Sequence, residues 1–148
     1  MAEPILHNQD FYGWIQQQIL LLQEGRLEEL DRENLLEELA DLGRSEKRAL
    51  TSQMARLCCH LLKWHYQPAR RSRSWVLTIR GARQEIQSLL RDNPSLKGQL
   101  AELFADGYAR GRLLALDETG LGDSIIPEVA SFTFEEAMEE AIAWESNP

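Results

Sequence analysis

The sequence is nearly without strand signals. β-Branched residues are few, and no stretch sustains the alternation of apolar and polar residues that marks a half-buried strand. Long apolar runs are missing too. "ILLL" at 19–22 is the longest purely aliphatic stretch, and glutamines flank it. That is far short of the roughly 20 residues a membrane-spanning helix needs, so no membrane association is expected. The opening "MAEPILHNQD" holds an acid and a proline but no basic segment ahead of an apolar run, so no secretory signal is expected. Cysteine is scarce. Cys58 and Cys59 are the only two and they are neighbours. A disulfide between them would distort the peptide and break a helix there, and two free thiols point to a cytoplasmic protein.

Charge of one sign is missing from two stretches. Between Lys47 and Gln84 there is no Asp or Glu, yet there are nine basic residues. After Arg112 there is no Lys or Arg. The chain therefore reads acidic, basic, acidic, within a net charge of −8. Such an acidic protein repels nucleic acid in bulk, so any contact with it would have to be local.

What is present is helical spacing, in a chain whose 148 residues suit one domain with one core. A first helix is expected to open at Asn8 and close at Gly25, with Phe11, Trp14, Ile15, Ile19 and Leu22 on its apolar face. Asp31 reads as the cap of a long helix, with Leu30 and Leu35 as a hydrophobic staple. Leu35, Leu39, Leu42, Leu57, Leu61 and Trp64 continue its apolar line. Gly43 is a point of possible interruption, and Pro68 ends the helix. Trp75, Ile79, Ala82, Ile86 and Leu89 mark the next helix. Asn93 and Pro94 open another that closes at Gly120. Thr133 and Glu136 form a capping box for a last helix over Phe134–Trp144. These elements predict an all-α, single-domain bundle of five or six helices with short connections, spanning 1–148, its first eight or so residues and its last few loose.

The stretch "CCHLLKWHYQPARRSRSW", Cys58 to Trp75, concentrates the reactive side chains. As a metal site its spacing is wrong. His60 and His65 stand about 140° apart round a helix, and Cys58 and His65 about 10 Å apart along it. No metal and no cofactor are expected. Cysteines in mid-helix among leucines are expected to be inert packing residues. Glu33, Glu37 and Asp41 fall opposite Leu35, as a solvated acidic face would.

Two further features concern function. On an unbroken helix Glu46, Gln53 and His60 lie on the apolar line, seven residues apart. Glu46 and His60 are thus expected to be buried and hydrogen-bonded across a helix pair. They are the candidate catalytic residues. Around them Lys63, Gln67, Arg70, Arg71, Ser72, Arg73 and Ser74 form the candidate binding corner, flanked by Trp64 and Trp75 as anchors.

The phrases "DFYGWIQQQ", "LEELDRENLLEELADLGRSEKRAL", "HLLKWHYQPARRSRSW", "TIRGARQEI" and "NPSL" together resemble a bacterial family catalogued as domain of unknown function twenty-nine. The resemblance runs from about Asp10 to Phe134. It implies a small helical cytoplasmic protein and assigns no reaction.

The expected function is a protein–protein interaction module, presenting the basic corner and acidic flanks to a partner or to its own copy. No catalytic motif occurs at recognisable spacing, so the balance lies against an enzyme. The alternative is a hydrolase or other phosphate-handling enzyme, with Arg70, Arg71 and Arg73 holding phosphate while Glu46 and His60 move protons. Nucleic-acid binding through the interleaved basic and aromatic residues is the lesser alternative.

Overall fold

Helical spacing in the chain is matched by helices in space. The computed structural model describes residues 3–144, and among these there are five α-helices and no strand. They are α1 (Phe11–Gln23), α2 (Arg32–Tyr66), α3 (Arg73–Asp92), α4 (Leu100–Thr119) and α5 (Phe134–Glu139). The chain gathers into two compact units that divide between Arg44 and Ser45. The last residues expected to be loose, 145–148, lie outside the described residues, as do the first two.

The first unit is a helical hairpin. Asp10, not Asn8, caps α1, its carboxylate accepting from Gly13 N at 3.0 Å. Residues 7–9 form a turn instead, Asp10 N donating to Leu6 O at 3.0 Å. Gly25 ends the helix at φ 69°, a left-handed conformation that glycine adopts without a Cβ clash. Arg26 N then donates to Leu21 O and Gly25 N to Leu22 O, which satisfies two carbonyls of the last turn. The buried line of α1 is Trp14, Gln18 and Leu21. It is rotated from the expected face, since Phe11, Ile19 and Leu22 are exposed.

Asp31 joins the two arms of the hairpin. Its carboxylate accepts from Trp14 Nε1 at 2.9 Å and from Asn34 N at 3.4 Å, while its own N–H donates to Gln18 Oε1 at 2.8 Å. Asn34 and Trp14 hold the Asp31 carboxyl below the usual range despite some burial. In the segment expected to be loose, Ile5 N donates to Gln17 Oε1 at 2.8 Å and His7 Nε2 meets Glu38 Oε1 at 2.7 Å. α2 stays helical through Gly43, so no interruption occurs there.

The second unit is built round the rest of α2. Leu50, Met54, Leu57 and Leu61 pack with Ile79, Ala82, Ile86 and Leu90 of α3. Cys58, Cys59 and Leu62 pack with Tyr108 and Ala115 of α4 and with Ile126. Each fully buried aliphatic side chain contributes about 1.5–3 kcal/mol of transfer free energy, an upper figure for a compact unfolded chain. Close approach of α4 to α2 requires glycine. A Cβ on Gly111 would stand 2.5 Å from Ala55 O, and one on Gly107 2.5 Å from Met54 Cβ.

Connections follow local chemistry. Pro68 and Pro94 each begin a 3-10 turn, Pro68–Arg70 and Pro94–Gln99. Asn93 does not cap the next helix. Its Nδ2 instead donates to Leu89 O at 2.9 Å and to Glu46 Oε2 at 3.0 Å. The loop after Gly120 is tied to α4, Arg112 Nε donating to Ile126 O at 3.0 Å and Tyr108 to Pro127 O at 2.5 Å. The capping box at Thr133 and Glu136 forms, but α5 stops at Glu139 rather than Trp144. Its last turn holds acids and no base, which disfavours a helix C-terminus. Arg83 takes over the freed carbonyls, donating to Ala137 O at 3.0 Å and Glu140 O at 2.9 Å.

Candidate functional site

Glu46 and His60 are not both buried and bonded across the helix pair as expected: only Glu46 bonds across it, to Asn93 at the end of α3. Both stand on α2, and 14 residues of helical rise separate them by about 21 Å. Glu46 is exposed and bonded to Asn93. His60 is half-buried, and its Nδ1 lies 3.0 Å from Arg56 O on its own helix. The reason is a rotation of the buried face. In this half α2 packs on both α3 and α4, which moves the centre of its buried arc about 100° from the Leu35 line. Glu46, Gln53 and His60 fall at the edge of that arc. Gln53 Oε1 is buried there without a hydrogen-bond partner. Burial pushes the His60 imidazole down from its usual range, the bond to Arg56 O partly opposing it, so the ring is neutral at pH 7.

The thiols are packing groups. Cys58 and Cys59 are buried and free. Burial pushes both up to about 12, with the Glu118 carboxylate adding to the effect on Cys59. Thiols so placed are protonated and poor nucleophiles. Among the described residues, no three His, Cys, Asp or Glu side chains gather as metal ligands would. Glu33, Glu37 and Asp41 are exposed, as expected of a solvated face.

The basic corner separates into anchors and free groups. Lys63 Nζ pairs with Glu118 Oε2 at 2.8 Å and lies 4.9 Å from the Trp75 ring centre. Arg71 donates from Nε to Trp64 O at 2.9 Å and stacks over the buried Trp64 ring at 4.6 Å. Ser72 caps α3, its Oγ accepting from Trp75 N at 3.3 Å. Gln67 follows the last residue of α2 outside the helical region, at φ −133° and ψ 63°, its N–H donating to Lys63 O at 2.9 Å. These four side chains or their backbones hold the corner together.

Arg70, Arg73 and Ser74 are exposed instead. Arg73 and Ser74, in the first turn of α3, meet Arg56 of α2 with Leu77 and Thr78 at a shallow recess of about 610 Å³. No carboxylate among the described residues forms an ion pair with Arg56, Arg70, Arg73 or Arg80. Sequence spacing singled out Arg73 and Ser74 but not Arg56. The signal was present: an acid-free window long enough for two antiparallel helices must bring bases from both arms to one side.

The fold and this face define an all-helical protein with a recess lined by two unpaired arginines and two hydroxyls. The chain belongs to the family described as Domain of unknown function DUF29, whose model matches residues 6–143. No curated protein and no solved structure matches it. Among the described residues, no helix is long and apolar enough to cross a membrane.

Proposed function

We propose that this protein is a helical protein–protein interaction module of a reducing, cytoplasmic setting, whose α2–α3 recess receives an acidic segment of a partner. One observation carries the reading. In a chain with 24 acids and 16 bases, Arg56 and Arg73 converge on one recess, and neither forms an ion pair with an acid among the described residues. Exposed guanidiniums left free amid an excess of carboxylates are available to a carboxylate from outside, and Ser74 and Thr78 add hydroxyl donors beside them. Leu77, 49% exposed between them, offers an apolar contact at the same place. Two buried free thiols suit a reducing compartment.

The test is fluorescence anisotropy on the full chain with an oligoglutamate peptide and a single-stranded oligonucleotide of equal charge. The peptide is expected to bind more tightly at about 0.15 M salt. Arg56→Glu and Arg73→Glu should each weaken it roughly tenfold or more, while Glu33→Ala leaves it unchanged. Tighter binding of the oligonucleotide, or peptide binding indifferent to both arginine variants, rules the reading out.

A further inference from the structure

Helix α1 has no charged residue from Phe11 to Gln23, in a chain where 27% of residues are charged. Its apolar side is not covered. Phe11, Ile19 and Leu22 of α1 and Leu35, Leu39 and Leu42 of α2 line an open groove of about 550 Å³. Ile19 is 41% exposed and Leu39 62%. Steps of three and four residues on both arms are the spacing of a bundle core, of which the hairpin supplies one half. We propose that a second copy of this chain supplies the other half, hairpin against hairpin about a two-fold axis, as a four-helix bundle.

Charge selects this occupant. A two-fold contact sets a patch against itself, so it tolerates apolar and neutral groups and rejects unpaired charge. α1 meets that condition along its whole length. The acids of the hairpin stand elsewhere: Glu33, Glu37 and Asp41 are on the side of α2 away from Leu35. Glu38 is the one acid at the groove, and His7 Nε2 already holds it at 2.7 Å. Phe11, Ile19, Leu22, Leu39 and Leu42, between 41% and 64% exposed, are the side chains that a second copy would cover. This pairing uses neutral apolar chemistry on the first unit, so it stands or falls apart from the acidic-partner reading of the α2–α3 recess.

Sedimentation equilibrium of the full chain tests it, with Ile19→Glu and Leu39→Glu as groove variants and Leu113→Glu as control. Leu113 is 64% exposed on α4. Wild type and the control are expected to be dimers at micromolar concentration. Both groove variants are expected to be monomers with unchanged far-UV circular dichroism, because each glutamate enters a position already open to water. Should a glutamate variant lose helix, Gln16→Cys copies labelled with donor and acceptor dyes read the same contact in the intact groove by energy transfer. The native thiols are buried and stay unlabelled. A monomeric wild type, a dimer that survives both groove variants, a control that dissociates equally, or absence of energy transfer overturns the proposal. So does a wild-type monomer whose groove takes up a helix of another protein.

Discussion

Lys63 Nζ lies 2.8 Å from Glu118 Oε2, with the Lys63 side chain only 13% exposed and Glu118 44% exposed. The ammonium is thus taken most of the way out of water, and it is compensated by one carboxylate and by the face of Trp75.

That pairing gives a pH dependence of known sign. The Lys63 hydrogen bond holds the Glu118 carboxyl below its usual value of 4.5. Its contribution is complete above that value and is lost as pH falls through the lower native one. Glu118→Gln should therefore destabilise the protein at pH 7 by less than about 1 kcal/mol, given the exposure of the carboxylate. The gap between variant and wild type should close below about pH 4.5. Chemical denaturation of both proteins between pH 3 and pH 7 measures it.

Alanine at two helical glycines, one at the α2–α4 crossing and one away from it, is expected to have opposite effects. Gly111→Ala places a Cβ 2.5 Å from Ala55 O and 2.9 Å from Cys58 Cβ, and should cost about 1–3 kcal/mol through forced separation of the helices. Gly81→Ala in α3 meets nothing within 4 Å and should stabilise by about 0.5–1 kcal/mol. Thermal melts of the two variants beside wild type decide the matter.

How much of this was legible in the sequence depends on the range of the physics involved. Helix ends at Gly25, Asp31, Pro68 and Gly120, and the Thr133–Glu136 box, rest on contacts within a few residues, and the spacing located them. Which face of a helix lies inside depends on how many neighbours it has. α2 has α3 on one side and α4 on another, so its buried arc turned away from the line through Leu35, Leu39 and Leu42. With it turned the expected burial of Glu46. α5 continued in pattern as far as Trp144, but its acidic last turn and the Arg83 cap ended it at Glu139. In the candidate site, Lys63, Arg71 and Ser72 were conspicuous as residue types, yet they brace the corner. Arg56 joins the recess only because two helices pair, which no local spacing encodes.

Removing the Arg83 cap should loosen α5. Arg83→Ala leaves the Ala137 and Glu140 carbonyls without their side-chain donor, which is expected to cost about 1–2 kcal/mol. The loss should appear first as faster amide hydrogen exchange in residues 134–140, with exchange in α3 little changed.

Cys58 and Cys59 should resist a disulfide reagent at pH 8 in the native protein, since burial pushes both up to about 12. Both should react promptly in denaturant. Rapid titration of either thiol in the folded state would contradict the packing described for α2.

The stretch beyond Arg112 has no cation of its own, and its fastenings come from upstream. Arg112 and Tyr108 hold the loop at Asp123, Ile126 and Pro127, Arg83 holds the end of α5, and His65 meets Glu140 at 2.8 Å. A segment that borrows its donors has nothing to dock onto until those donors are in place. Order in this part of the chain therefore depends on side chains that α2, α3 and α4 present to it.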